Sequence, residues 1–244
     1  MGTGGMNTDR PEYLPECVSW HSSISADSLS IDLSTAIKKM LQDAILKDGR
    51  ASLAVSGGST PKTLFKKISK MELDWSSIDI TLVDDRWVDR EHKDSNELLV
   101  RRFLLKGNAA DASFVALKNS SDGAQEGQQK CEQSLRQIKQ PLDVAVLGLG
   151  TDGHTASLFP CSEELAMAMD INNTNKCIAT TPKSAPYDRI TLTRSAISRS
   201  DNIILHIVGH KKLDTLEQAI KTKDSAKMPI YAFLQEPISI YWSP

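Results

Sequence analysis

Gly148-Leu149-Gly150-Thr151-Asp152-Gly153-His154-Thr155-Ala156-Ser157 is the stretch on which the fold turns. The run before it, Leu142 to Leu147, has the apolar character of a buried strand, and the glycines allow a sharp turn at its end. Two earlier places repeat the pattern. Ala51 to Val55 predicts a strand that meets Ser56-Gly57-Gly58-Ser59-Thr60-Pro61, with Thr60 as the cap of the next helix and Pro61 at its first position. Ile78 to Val83 predicts a strand that ends in Asp84-Asp85-Arg86. Helical spacing is expected from about Ser28 to Lys47, Ser95 to Leu105, Gly123 to Ile138 and Lys211 to Ile220. Phe114–Leu117, Ile203–Val208 and Ile238–Trp242 complete the strands. Strands alternating with helices through short turns give parallel βαβ units. The expected fold class is therefore α/β, a Rossmann-like, mostly parallel sheet flanked by helices in a single domain. Ligands of such sheets bind beyond the carboxyl ends of the strands, where all three polar loops fall.

Composition narrows the function. The chain has 244 residues, 40% of them hydrophobic, enough for a sizeable core without metals or disulfides. Its net charge of −2 argues against a general nucleic-acid binder and against disorder. Only 5% of residues are aromatic, too few for a base-stacking platform. No apolar run is long enough to span a membrane. The start, Met1 to Met6, has no signal-peptide character, so residues 1–10 are expected to be a flexible leader, with the natural start at Met6, and residues 11–244 one domain. Cys17, Cys131, Cys161 and Cys177 form neither a zinc pattern nor a disulfide framework, which suits free thiols and a cytoplasmic protein. The segment from Pro160 to Pro186 is the least regular and suggests a flap or small insertion.

The loops suggest chemistry. Gly57 and Gly58 bare the backbone N–H groups before a helix N-terminus, while Ser56, Ser59 and Thr60 add hydroxyls; a phosphate suits such a site. The P-loop's Gly-Lys-Ser/Thr ending is absent, so a nucleoside triphosphate is not implied. Arg86, among carboxylates that would hold it rigid, suits a phosphate or carboxylate. His154 is the candidate general base, oriented by Asp152 and kept neutral by a following helix start, with loop N–H groups as oxyanion donors. His206 is expected to be a satisfied core residue, His21 and His92 surface groups, and His210 a weak candidate for the site. No histidine pair has metal-ligand spacing, so no metal is expected.

Taken together, Leu53–Pro61, Val83–Val88 and Gly148–Pro160 resemble the 6-phosphogluconolactonase family. Pro186–Thr193 and Gly209-His210-Lys211-Lys212 extend the likeness in the same order, so it covers nearly the whole chain after the leader. The resemblance implies hydrolysis of 6-phosphoglucono-δ-lactone to 6-phosphogluconate, in the oxidative branch of the pentose phosphate pathway, without a cofactor. It implies His154 as base supported by Asp152. Arg86, Arg189 and Lys212 (or its neighbour Lys211) would hold the phosphate and polar groups beside Gly57, Gly58, Ser59 and Thr60. The expected partner is a small sugar phosphate lactone, with no nucleic acid or membrane, in a monomer or weak homodimer. Cys161 departs from the glycine expected after Leu-Phe-Pro. The rivals are a glucosamine-6-phosphate deaminase/isomerase and a non-catalytic sugar-phosphate sensor. The deaminase loops carry Asp-Glu-Tyr and Ala-Phe-Asn-Glu-Pro; here Asp84-Asp85-Arg86 and Ala156-Ser157-Leu158-Phe159-Pro160 stand instead.

Overall fold

A computed structural model of the protein describes residues 10–244; apart from Arg10, the expected leader and its Met6 start lie outside the described residues. The first half of the chain runs β1 (Val18–Ser22), α1 (Ala26–Asp48), β2 (Ala51–Val55), α2 (Pro61–Ile68), β3 (Ile78–Leu82), β4 (Asp84–Arg86), α3 (Asn96–Phe103), β5 (Ser113–Val115) and α4 (Ala124–Ser134). The second half runs β6 (Val144–Leu147), α5 (Leu165–Met169), β7 (Cys177–Thr180), β8 (Arg189–Leu192), α6 (Arg194–Ser198), β9 (Asn202–Val208), α7 (His210–Thr222), α8 (Ile230–Phe233) and β10 (Ile238–Ser243).

Seven strands form one sheet in the order β1-β10-β9-β6-β2-β3-β5, and every pairing in it is parallel. The helices flank it around one apolar core, so the single α/β domain is as expected. Local chemistry explains the flanking elements. In α1, Ser25 caps the first turn reciprocally with Ser28, and Gly49 closes the helix at φ 72°, a backbone shape that suits glycine. Its Leu29, Leu33, Ile37 and Leu41 recur every four residues and are fully buried. Ser95 caps α3 through the Leu98 N–H. Among the described residues no helix is long and apolar enough to cross a membrane.

Two expectations change. Asp84-Asp85-Arg86 is itself a strand, β4, and pairs antiparallel with β8, which pairs with β7 in a second, three-stranded sheet. The segment from 160 to 186 is not simply a flap: it contains α5 and the wholly buried β7. Beyond these, β1, β8, α6 and α8 have no counterpart in the sequence pattern.

The two ends of the large sheet differ in charge. At the amino ends of the strands the charges are paired. Arg50 meets Asp79 at 2.7 Å and Lys139 meets Asp48 at 2.8 Å. Lys139 also bonds the buried Asp143, which accepts from the Ser52 N–H at 2.7 Å. At the carboxyl ends, Arg86, Arg189 and Lys212 form no ion pair among the described residues.

Candidate active site

A cleft of roughly 280 Å³ opens at the carboxyl ends of β2, β6 and β9. It is lined by Ser56, Gly57, Gly58, Ser59, Thr60, Asp84, Arg86, Asn96, Gly148, Gly150, His154, His206 and Lys212, among others. All three polar loops therefore reach one site.

Ser56 is anchored by its N–H and hydroxyl, both bonded to the Val146 carbonyl. The chain then passes so close to α3 that a Cβ on Gly57 would lie 1.8 Å from Asn96 Oδ1. Gly58 has φ +94°. Among the described residues the N–H groups of Gly57, Gly58 and Ser59 have no protein acceptor. Thr60 is not the side-chain cap expected: it is already helical, at φ −58° and ψ −46°, and its hydroxyl makes no capping bond. The helix N-terminus is thus left open toward the cleft, which favours an anion there.

His154 Nδ1 lies 2.5 Å from Asp152 Oδ1. A carboxylate can only accept here, so Nδ1 carries a proton and, in the neutral imidazole, Nε2 is the nitrogen with the lone pair. Burial, the largest single influence, raises the Asp152 pKa, but the hydrogen bond and charge of His154 together with backbone N–H groups outweigh it and hold the carboxyl below its ordinary value. Phe159 stacks on the imidazole at 4.0 Å between ring centres. A Cβ on Gly150 would fall 2.1 Å from His154 Nδ1, so glycine at that position is what lets the imidazole lie against the loop. No helix begins at His154, contrary to the expected source of its neutrality; the residues after it form a tight turn, and α5 starts only at Leu165. The loop N–H groups are also less available as oxyanion donors than expected. That of Gly150 bonds the His154 carbonyl, that of Gly153 the Gly150 carbonyl, and that of His154 the Asp152 carboxylate. Ala156 holds φ +49°, a strained backbone at the edge of the cleft.

The second sheet brings in the arginines. Arg86 and Arg189 are directly opposed in the β4–β8 register. Like charges facing each other are unfavourable, and both Nε atoms are buried without a partner among the described residues. Burial, then the nearby Arg86, lower the Arg189 pKa. The carboxylates of Asp84 and Asp85 do not clamp Arg86 as expected. Its guanidinium donates to the Asp94 carbonyl at 2.5 Å. Asp84 accepts from Ser157 Oγ at 2.6 Å. Asp85 accepts the N–H groups of Arg86, Asn96 and Glu97 and so anchors the start of α3. Burial pushes Asp85 up to about 7 against the pull of those three donors. Arg189 does not line the cleft; it sits behind, 5.8 Å from the Phe159 ring centre, and donates to the Pro186 carbonyl. Asp152 likewise stands behind His154 rather than in the cleft wall. Of the two adjacent lysines, Lys212 lines the cleft and Lys211 does not. Burial lowers the Lys212 pKa, partly opposed by Asp152.

His206 is buried, as expected, but not satisfied: among the described residues its Nε2 has no partner. His210 is exposed, with its ring against Trp242, and does not line the cleft. His21 is exposed and His92 half-buried. Cys161 shares a hydrogen bond with Ser184 at 3.1 Å. Asn96, Phe159 and the Ser157–Asp84 pair were not singled out from the sequence. The only signal for Asn96 was its place beside the Ser95 helix start.

A glycine-lined cleft at the carboxyl ends of a parallel sheet, ringed by unpaired cations beside a carboxylate-held histidine, defines an α/β enzyme site for a small anionic ligand. The family model described as "Glucosamine-6-phosphate isomerases/6-phosphogluconolactonase" matches residues 24–242. The chain belongs to that family. It is 39% identical to the 6-phosphogluconolactonase of Pseudomonas putida over 100% of both chains. It is 41% identical to that of Rhizobium meliloti, over 92% of this chain and 98% of the relative. The crystal structure of a 6-phosphogluconolactonase from Shewanella baltica superposes with a TM-score of 0.91 at 43% identity, covering 95% of this chain and all of that one. The chain is thus an enzyme that falls with the lactonases of its family.

Proposed function

We propose that residues 11–244 form a hydrolase domain that converts 6-phospho-D-glucono-1,5-lactone to 6-phosphogluconate, with His154 as the general base. The observation that carries this reading is the 2.5 Å contact between His154 Nδ1 and Asp152, which leaves Nε2 as the basic nitrogen of a residue lining the cleft. In this mechanism a water oxygen attacks C1 as Nε2 takes a proton from it. The carbonyl pair moves onto oxygen and gives a tetrahedral anion. The C1–ring oxygen bond then breaks, its pair stays on the ring oxygen, and the imidazolium returns the proton there. Asp152 stabilises the imidazolium while it lasts. Ser56, Gly57, Gly58, Ser59 and Thr60 receive the phosphate with Arg86 and Lys212. Arg189 adds positive field from behind. No covalent intermediate and no cofactor are part of the scheme.

The test is a coupled assay in which glucose-6-phosphate dehydrogenase makes the lactone in place and 6-phosphogluconate is followed. His154→Ala should lower kcat by about 10²–10⁴-fold, the usual range for a lost general base, with an unchanged circular dichroism spectrum. Undiminished hydrolysis above the spontaneous rate would remove His154 from this role. Ammonia release from glucosamine 6-phosphate, without lactone hydrolysis, would replace the lactonase by the deaminase.

A further inference from the structure

β9 reads Asn-Ile-Ile-Leu-His-Ile-Val, so His206 is the one polar side chain in its buried stretch. The residue is 4% exposed, and its Nε2 is buried with no hydrogen-bond partner among the described residues. An unsatisfied buried polar group costs stability that an aliphatic side chain in the same strand would not. The position explains why such a group is there. His206 lies one residue beyond the Leu147–Leu205 pair of β6 and β9, beside the turn glycines, and it lines the cleft with His154 and Lys212. Burial alone brings its imidazole down to about 4, so near neutral pH it is an uncharged hydrogen-bonding group among cations.

We propose that His206 is a second histidine of the site, one that contacts the ligand: its imidazole forms a hydrogen bond with an oxygen of the bound sugar phosphate at the floor of the cleft. The inference rests on the lactonase reading for the identity of that ligand. Its role differs from that of His154. The contact is present with substrate and product alike, so it contributes to binding and leaves the chemical step alone.

The experiment uses the full protein with its histidines labelled with ¹⁵N, and titrates 6-phosphogluconate and, separately, inorganic phosphate. His206→Phe assigns the His206 signal. A saturable shift of the His206 ring nitrogens with both ligands supports contact at the phosphate end; a shift with 6-phosphogluconate alone supports contact with a sugar hydroxyl or the carboxylate. In parallel, His206→Phe should keep or raise Tm and raise KM about tenfold at unchanged kcat, and His206→Asn should recover part of that KM. A merely structural residue would show the gain in Tm with a wild-type KM, and that result overturns the proposal. So does a wild-type protein that binds 6-phosphogluconate while His206 stays silent. Should the wild type neither hydrolyse the lactone nor bind 6-phosphogluconate, the lactonase reading fails on its own. The phosphate titration then decides for His206, a shift keeping the contact and silence removing it.

Discussion

Arg50, Lys139, Asp79 and Asp143 at the amino ends of the sheet, and Arg86, Arg189 and Lys212 at its carboxyl ends, are all charged groups beside buried strands, but they are treated in opposite ways. The first set is closed: Arg50 pairs with Asp79, and Lys139 bridges Asp48 and Asp143. The second set is open, with buried Nε atoms on both arginines and no ion pair on any of the three among the described residues. A protein that merely needed to fold would pair these groups or replace them. Charge left unpaired beside bare backbone N–H groups is what the proposed binding of an anionic ligand at the carboxyl end requires.

That contrast is open to direct attack. The largest effect is expected at the closed end. Asp143→Ala removes the buried carboxylate that Lys139 bonds and strands the Ser52 N–H, so it should cost about 3–5 kcal/mol in urea unfolding while KM stays at the wild-type value. A raised KM there would show that the two ends are not separate. The next effect concerns acid stability at the open end. The unfolded chain takes up a proton on residue 206 near pH 6.5, whereas the folded protein resists protonation there down to about 4. Acid therefore favours the unfolded state, and this contribution to stability is lost as pH falls from 6.5 toward 4. Asp85, raised to about 7, acts in the opposite sense over much of that range, so the informative quantity is the difference between wild type and His206→Phe. The variant should gain on the wild type by on the order of 3 kcal/mol by pH 4, read from denaturant curves at a series of pH values. A difference independent of pH would mean that His206 is not the buried neutral imidazole described.

Gly150→Ala tests the fit of the histidine against its loop. The new Cβ must displace the imidazole, and kcat should fall about a hundredfold, the scale of a 1 Å misplacement, with the fold retained. Wild-type turnover would show that the loop yields and the histidine keeps its place. The smallest effect is expected from Arg86→Ala. Losing one charge-assisted contact costs about 1.5–3 kcal/mol, which should raise KM about ten- to a hundredfold with little change in kcat. An unchanged KM would leave the open arginines without their proposed ligand.

Much of the larger sheet was readable from the chain alone. β2, β6 and β9 are short, nearly unbroken apolar runs, each stopped by glycine or small polar residues, as strands covered on both faces must be. The smaller sheet was not readable. β4 is Asp-Asp-Arg and β7 and β8 are four residues each, so neither length nor periodicity marks them. Their pairing joins segments far apart in sequence, and the buried carboxylates of β4 are tolerated because Ser157 and backbone N–H groups satisfy them. The same limit applied to single residues. His206 lay in an apolar strand, which argued for a satisfied core group, and only the folded structure shows its Nε2 buried without a partner among the described residues in a residue that lines the cleft.

The residue order by itself determined the parallel α/β architecture and the three loops where chemistry gathers, because apolar runs, glycines and helix starts are local signals. Which of these groups meet was decided by the tertiary structure. Lys212 rather than Lys211 enters the cleft, Arg189 stands behind it, and Asn96 requires Gly57 to be glycine. The physical reason is that pairing, burial and the direction of a side chain depend on neighbours the chain supplies from elsewhere, and at this site those neighbours leave the cations open toward the cleft.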